Sequence, residues 1–171
     1  MDVKTDGLTT WPYVVQALQP LREKEWLSRV NGTSVIKGPI TVVGTGNSFL
    51  QIHYLSEGNT PLSMLVHNDT RDYFFDAPLG KLNSTFTSYL SPIASGDYEV
   101  LVGWSGKSPV NDTILEIIAT QVQEAHAAGI MTRYWDTPLA PIFARNAVWS
   151  ALLSQGSDLL NGDDLAAAAA F

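Results

Sequence analysis

The sequence contains no cysteine and no long apolar run, and both absences narrow what the protein can be. Without cysteine there is no disulfide framework and no thiolate metal site, so redox chemistry says nothing about the compartment. No apolar run approaches the roughly 20 residues needed to span a bilayer. Residues 1–10 also lack the apolar core of a signal peptide. We therefore expect no integral membrane segment.

Positive charge is scarce as well. The 171 residues carry 10 Lys and Arg against 17 Asp and Glu, a formal net charge of −7. No Lys/Arg cluster could neutralise several phosphates of a nucleic acid, so nucleic acid is not an expected partner. The 45% of hydrophobic residues can bury one core, and a single domain over residues 1–171 is predicted.

N-glycosylation acceptors are more frequent than chance predicts. The four sites are Asn31, Asn68, Asn83 and Asn111. This excess favours a secretory or extracellular parent protein, which would need a leader. We therefore expect the N-terminus to be truncated, with an accidental excess of sites as the alternative.

Apolar runs of strand length alternate with segments of helical period, the pattern of a parallel α/β fold. Strands are predicted at 2–4, 40–44, 72–76, 99–104, 130–135 and 158–161. Helices are predicted at 12–24, near Phe49, at 111–128, at 142–153, and after a cap formed by Asp163 and Asp164. Six strands are two βα units short of an eight-stranded (β/α) barrel.

In such a barrel the carboxyl ends of the strands face the active site, so polar residues there have a raised functional expectation. The candidates are Asp2, Lys4, Asn47, Asp76, Trp104, Ser105, Trp135, Asp136, Asn161 and Asp163. Asp2 and Lys4, two positions apart on one strand, point to the same side and bring a carboxylate beside an ammonium. The alternative is a charged pair at a frayed terminus.

Several motifs then resemble successive signatures of one family. They are Asp2-Val3-Lys4-Thr5-Asp6-Gly7, Thr10-Trp11-Pro12, Thr41-Val42-Val43-Gly44-Thr45-Gly46-Asn47, Phe74-Phe75-Asp76-Ala77-Pro78-Leu79, Arg133-Tyr134-Trp135-Asp136-Thr137-Pro138 and Leu160-Asn161-Gly162-Asp163-Asp164-Leu165. In this order they resemble the fungal phospholipase C-like phosphodiesterases that include the altered-inheritance-of-mitochondria proteins. That family is similar to the glycerophosphodiester phosphodiesterases and to sphingomyelinase D.

The resemblance implies a (β/α)8 barrel of the TIM type, of which this chain is the C-terminal three-quarters. It also implies a divalent metal, usually Mg²⁺, and a small or lipid-like phosphodiester substrate such as a glycerophosphodiester or a lysophospholipid. Asp2 matches a metal ligand and Lys4 a phosphate-contacting lysine with a catalytic role. Trp135 matches a tryptophan of the substrate pocket, and Asp163 lies near a polar substrate position.

The family's catalytic histidines and its Glu/Asp metal pair lie on earlier strands, which this chain is expected to lack. The string His67-Asn68-Asp69 also occurs in the family's first-strand motif, but here it precedes a later strand, so we interpret it as a coincidental match in a loop. We interpret His53 and His126 as structural residues on helices. The resemblance therefore predicts a phosphodiester hydrolase that is inactive as this fragment. A truncated or degenerate barrel without enzymatic activity is the alternative.

Each of three further patterns has two possible interpretations. The glycine pair at 44–47 could cradle a phosphate, but a tight turn is the commoner use. Asp136-Thr137-Pro138 could cap the helix at 142 instead of serving a site. Asp76 and Asp136 could be the paired carboxylates of a carbohydrate-processing barrel. The tryptophans outside strand ends, namely Trp11, Trp26 and Trp149, are expected to be packing residues.

Overall fold

A computed structural model describes residues 1–47 and 70–171, which form two compact units. The first unit comprises Met1–Asp76 with Tyr89–Pro92, and the second comprises Ala77–Ser88 with Ile93–Phe171. The short helix expected near Phe49 lies outside the described residues.

Three parallel strands organise the first unit. They are β1 (Asp2–Val3), β4 (Val43–Gly46) and the beginning of β6 (Phe74–Pro78). β4 lies in the middle and pairs in parallel with both neighbours, Asp2 opposite Thr45 and Val43 opposite Phe74. The second and third predicted strands are thus confirmed, each displaced by two to three residues towards the C-terminus.

A separate antiparallel sheet completes the strands of the first unit. It contains β2 (Arg29–Asn31), β3 (Ser34–Ile36) and β5 (Thr70–Arg71), in the order β3-β2-β5. The turn between β2 and β3 includes Gly32 at a positive φ of 63°. Such short hairpin turns favour glycine because the left-handed region costs it nothing. The parallel pattern predicted from the sequence does not contain this sheet.

The helix predicted at 12–24 is in fact two helices, α1 (Gly7–Ala17) and α2 (Gln19–Glu23). α1 begins five residues earlier than predicted, and the carboxylate of Asp6 accepts a hydrogen bond from the Thr9 N–H at 3.3 Å. Pro12 therefore lies inside the helix and not in its first turn. Pro20 is the second residue of α2, where a residue without an N–H is tolerated because it lies in the first turn.

The second unit follows the end of β6 with β7 (Ile93–Asp97), α3 (Tyr98–Leu101), α4 (Asp112–Ala127), β8 (Met131–Trp135), α5 (Ile142–Ser154) and α6 (Leu165–Ala170). β7 and β8 are parallel and paired along their whole length, from Ile93 opposite Met131 to Asp97 opposite Trp135. The helices predicted at 111–128 and 142–153 and the strand at 130–135 are confirmed within one or two residues.

The strand predicted at 99–104 is wrong. Residues 98–101 form α3, and the strand is β7, which ends at Asp97. The Asp97 carboxylate accepts a hydrogen bond from the Val100 N–H at 3.0 Å and so caps α3. The apolar run at 99–104 belongs to a short helix and the turn after it, because this cap outweighs a pattern that also suits a strand.

The parallel sheet has five strands in the order β1-β4-β6-β7-β8. The strand predicted at 158–161 is reduced to one parallel bridge, between Leu159 and Arg133 of β8. The fold is therefore a mixed α/β arrangement with a parallel sheet and alternating helices. The closed barrel stays a prediction. No helix of residues 1–47 and 70–171 is long and apolar enough to cross a membrane.

Candidate functional site

The first candidate group lies where β1 ends beside β4, within the first unit. The Lys4 ammonium is 2.7 Å from the Asp2 carboxylate, so the two side chains point to the same side of the strand as expected. Both are accessible, with 82% of the Lys4 side chain and 50% of the Asp2 side chain exposed. An ion pair this exposed contributes little to stability, so both groups can exchange partners at low cost.

Gly46 and Asn47 lie directly beside this pair. The Asn47 N–H donates to the Val3 carbonyl at 2.7 Å, and the Asn47 side-chain amide donates to the Lys4 carbonyl at 3.4 Å. Residues 43–46 form β4 itself, so the glycine-rich turn predicted at 44–47 is wrong for residues 44–46. Glycine is required at 46 because a Cβ there would stand 2.2 Å from the Asp2 carboxylate and 2.6 Å from the Val3 carbonyl oxygen.

The donor set available for a divalent cation is small. Mg²⁺ is typically held by one or two carboxylates together with waters and substrate phosphates. Asp2 can supply one carboxylate, yet residues 1–47 and 70–171 contain no group of three His, Cys, Asp or Glu side chains that could hold a metal ion. The described residues thus fit one ligand of such a site and not a complete site.

A cleft of about 450 Å³ lies in the second unit. It opens where β7 and β8 end, the edge at which parallel α/β folds bind ligands. Its walls come from the segments that follow these strands, namely Tyr98, Glu99, Gly103, Trp104, Ser105 and residues 136–139. Trp104 and Ser105 thus line a cleft, although the strand predicted at 99–104, after which they were expected, is absent.

Asp136 lines this cleft in a left-handed backbone conformation, with φ at 57°. Such a conformation is uncommon outside glycine and is tolerated best by Asp and Asn. The Asp136-Thr137-Pro138 segment is not a helix cap, because α5 is preceded by Pro141 and has no side-chain cap. The helix-cap interpretation of Asp136 is therefore wrong, and its role as a site residue stays a prediction.

Trp135 and Asp163 also belong to the second unit. Trp135 is the last residue of β8, and 42% of it is exposed. Its neighbour Tyr134 is fully buried and donates a hydrogen bond to Gln121 of α4, so Trp135 points to the opposite face of the sheet. Asp163 is exposed in the loop before α6, where Asp164 and not Asp163 caps the helix by accepting from the Ala167 N–H at 3.0 Å. Their roles towards substrate stay predictions.

Asp76 lies in β6, where it is buried. It belongs to the first unit, whereas Asp136 belongs to the second.

Two of the three tryptophans expected to be packing residues are buried, namely Trp11 and Trp149. Trp26 is wrong as a packing residue. This residue is 43% exposed, and the Lys24 ammonium lies 4.6 Å from the centre of its ring.

The histidines give no acid–base pair in the described part of the chain. His53 and the His67-Asn68-Asp69 motif lie outside the described residues. His126, at the end of α4, contacts the Asp158 carboxylate at 2.9 Å. Burial raises the pKa of Asp158, but hydrogen bonds from His126 and from the Thr132 N–H and hydroxyl lower it by more, so the pKa lies below its ordinary value. His126 is thus a structural residue, as expected.

Arg133 is a further candidate, which the sequence analysis includes only within a motif. The alternation of side chains along β8 places it on the same face as Trp135. Its guanidinium donates two hydrogen bonds to the side-chain oxygen of Asn161, from Nε at 3.0 Å and from Nη2 at 2.7 Å. Two-residue periodicity was the available signal.

Comparison with known proteins points to a phosphodiesterase-like family for the first part of the chain. The family described as "AIM6-like phosphodiesterase domain" matches residues 1–76, the segment that includes Asp2, Lys4 and Gly46. No solved structure matches the chain.

The chain is, more particularly, similar to fungal proteins named altered inheritance of mitochondria protein 6, as its motifs predicted. It is 44% identical over 172 residues to the altered inheritance of mitochondria protein 6 homolog of Arthroderma benhamiae, covering 98% of this chain and 51% of the relative. It is 31% identical over 180 residues to altered inheritance of mitochondria protein 6 of Eremothecium gossypii, covering 97% of this chain and 43% of that relative. The chain thus spans about half the length of the curated relatives it matches.

Proposed function

We propose that this chain is part of a phosphodiester hydrolase that acts on a glycerophosphodiester or lysophospholipid-like substrate with a divalent metal such as Mg²⁺. The observation that carries the proposal is the contact between Asp2 and Lys4 at the end of β1, within the segment that matches a phosphodiesterase domain. The proposal extends the family name to a substrate class, a metal and two residue roles.

Lys4 is proposed to bind a phosphate oxygen of the substrate. Its ammonium is a compact charge on a flexible stem, largely exposed, and its partner Asp2 is replaceable by another anion. Asp2, once released by Lys4, is proposed as one metal ligand. A metal at this position would offset negative charge on the phosphate, and its remaining ligands would lie outside the described residues.

Residues 1–171 alone are proposed to bind substrate without cleaving it. Cleavage of a phosphodiester needs a group that moves protons, and His126 is the one histidine in the described part of the chain. It is held by Asp158 at the far end of α4 from the cap at Asn111. A non-catalytic protein is the competing proposal, supported by the same observation.

The cleft of the second unit suits a small substrate with an apolar part. Trp104 and Leu139 offer apolar surface, while Ser105, Thr137 and Asp136 offer hydrogen-bonding groups. Pockets of about 300–1,000 Å³ lined in this mixed way are typical for small ligands. We propose substrate contacts for Trp135 and Asp163 on the exposed surface of the same unit.

A secretory or extracellular location is proposed from the glycosylation sites. Asn31, Asn83 and Asn111 are all exposed, as an attached glycan requires. Asn68 lies outside the described residues. Expression in a fungal secretory host should give a mass that falls after treatment with an amidase that removes N-linked glycans, and an unchanged mass would refute the proposal.

Binding is the first experiment for the proposed function. Titration of residues 1–171 with a glycerophosphodiester analogue that resists hydrolysis should give saturable binding that is tighter with Mg²⁺. Lys4→Met should weaken it about tenfold or more, because a hydrogen bond to a charged group is lost. Lys24→Met removes the same charge from the same unit and should leave binding unchanged.

Turnover of bis-p-nitrophenyl phosphate and of a lysophospholipid is measured in parallel for residues 1–171 and for the full-length Arthroderma benhamiae relative. The relative should cleave at least one substrate with Mg²⁺ or Mn²⁺, and residues 1–171 should cleave neither. Cleavage by residues 1–171 would refute the proposed inactivity. Failure of both proteins to cleave, together with equal binding by the Lys4 and Lys24 variants, would leave the non-catalytic alternative.

A further inference from the structure

Arg133 is a half-buried cation that no described carboxylate neutralises. The ion pairs of the described residues use Lys4, Arg22, His126 and Arg145 as cations, and Arg133 is not among them. Asn161 instead receives two hydrogen bonds from its guanidinium, at 3.0 and 2.7 Å. An amide oxygen can orient a guanidinium in this way, but the neutral amide cannot compensate the positive charge of the guanidinium.

Ser95 lies directly opposite Arg133 in the pairing of β7 with β8. Paired residues of neighbouring strands project from the same face of a sheet. The Ser95 hydroxyl is buried and has no hydrogen-bond partner among the described residues. An unsatisfied buried hydroxyl is unusual in a native protein and requires a physical explanation.

The face that carries these residues is not the one that packs on α4. Thr132 and Tyr134 alternate with Arg133 along β8 and are fully buried, and Tyr134 contacts Gln121 of α4. Arg133 therefore points away from this helix, to the side on which Trp135 is exposed. A cation, a hydroxyl and an aromatic ring thus share one face, with Arg133 and Ser95 in the middle of their strands and Trp135 at the strand end next to the cleft-lining residue Asp136.

We propose that Arg133, oriented by Asn161 and assisted by Ser95, binds the phosphate group of a phosphodiester. Guanidinium presents paired donors that match two phosphate oxygens, and the serine hydroxyl can donate to a third acceptor position. An oxyanion here would compensate the charge of Arg133 and satisfy Ser95 at once. The proposal deepens the proposed function and rests on it for the identity of the substrate, but the anion site itself depends on neither Asp2 nor Lys4.

Asn161→Asp is the most informative substitution. A carboxylate at 161 keeps the acceptor for both guanidinium hydrogen bonds and adds the missing negative charge, so the fold should be retained. It would also compete with a bound phosphate. If Arg133 served only to hold the chain at residue 161, this change would leave anion binding unaltered.

The probes are dimethyl phosphate, inorganic phosphate and acetate, each titrated into residues 1–171 by calorimetry, with melting temperatures recorded for every variant. Dimethyl phosphate should bind more tightly than acetate. Asn161→Asp and Arg133→Gln should each weaken its binding about tenfold or more, and Ser95→Ala by a smaller factor. Arg29→Gln removes the same charge from an exposed position of β2 and is the matched control.

Equal binding of dimethyl phosphate by the wild-type and Asn161→Asp proteins, both folded, would overturn the proposal, as would the absence of binding to the wild-type protein. Tighter binding of inorganic phosphate than of dimethyl phosphate, still dependent on Arg133, would support the anion site but exclude the diester as its ligand. The double variant Lys4→Met with Arg133→Gln separates the two proposals, since the binding that Arg133→Gln removes in the Lys4→Met background belongs to Arg133 and not to Lys4.

Discussion

Gly46 shows how strongly one residue can constrain the candidate site. Its φ of 66° lies in the left-handed region, and a Cβ would stand 2.6 Å from the Val3 carbonyl oxygen. That oxygen is backbone, so it cannot rotate away as a side chain could. The end of β1, with Asp2 and Lys4, therefore depends on the absence of a side chain at 46.

We predict that Gly46→Ala lowers the free energy of unfolding by about 2–4 kcal/mol, from backbone strain plus the clash with β1. Gly32→Ala is the matched control, since Gly32 also has a positive φ of 63° but nothing lies within 4 Å of its would-be Cβ. It should cost only about 1–2 kcal/mol. Urea unfolding followed by tryptophan fluorescence measures both, and equal costs would refute the close approach.

Arg145 and Arg133 make a second comparison among single residues of the second unit. Arg145 is buried, lies 4.6 Å from the ring centre of Trp149, and pairs with Asp164 at 3.2 Å. Arg133 has an amide in place of such a carboxylate. One arginine therefore has its compensating charge within the unit, whereas the other has no ion-pair partner among the described residues.

Among the elements, α4 is defined by its two ends and one apolar stripe. Asn111 accepts a hydrogen bond from the Ile114 N–H at 3.0 Å at the N-terminus. At the C-terminus, Gly129 adopts a φ of 70° while the Ile130 N–H donates to the Ala125 carbonyl at 2.9 Å, a Schellman arrangement. Ile118, Val122 and Ala125 are the buried residues between them.

We predict that Asn111→Ala destabilises the protein by about 1 kcal/mol, because the Ile114 N–H loses its acceptor. Asn111→Ser keeps a side-chain oxygen at the cap and should cost clearly less. Thermal unfolding of protein made without glycosylation measures the difference, because Asn111 is also a glycosylation acceptor and both changes remove it. Equal losses in the two variants would mean that the cap does not stabilise α4.

At the scale of the whole molecule, the loss of folding stability at acid pH is expected to depend on Asp158. Its carboxylate receives hydrogen bonds from the Thr132 N–H at 2.7 Å, the Thr132 hydroxyl at 3.0 Å and His126 at 2.9 Å. Burial raises its pKa, and these partners lower it by more, so the folded pKa is below the ordinary value. Such a group stabilises the fold above its unfolded pKa of about 3.9, and this stabilisation disappears as the pH falls through the folded pKa.

We therefore predict that the unfolding free energy of the wild-type protein falls below about pH 4, and that Asp158→Asn reduces this fall. At neutral pH the variant should be less stable by about 1–3 kcal/mol, since the charged acceptor of a buried N–H is lost. Asp163→Asn, at an exposed position of the same unit, is the control and should keep the wild-type profile. Parallel profiles for wild type and Asp158→Asn between pH 2 and pH 7 would contradict the assignment.

The sequence by itself determined the features that depend on neighbours along the chain. The helix after Asn111, its end at Gly129, the strand before Trp135 and the side shared by Asp2 and Lys4 all follow from caps and from periods of 3.6 and 2. The family motifs were equally readable, because they are local strings in a fixed order.

Only the tertiary structure decided features that depend on residues far apart in sequence. It replaced the strand at 99–104 by β7 and α3, brought Asn47 to Lys4, and set the amide of Asn161 against Arg133. A period of two shows which face a side chain occupies, but not which strand lies next to it. For that physical reason the half-buried cation and the hydroxyl opposite it, on which the proposed anion site rests, became visible only when β7 and β8 were paired.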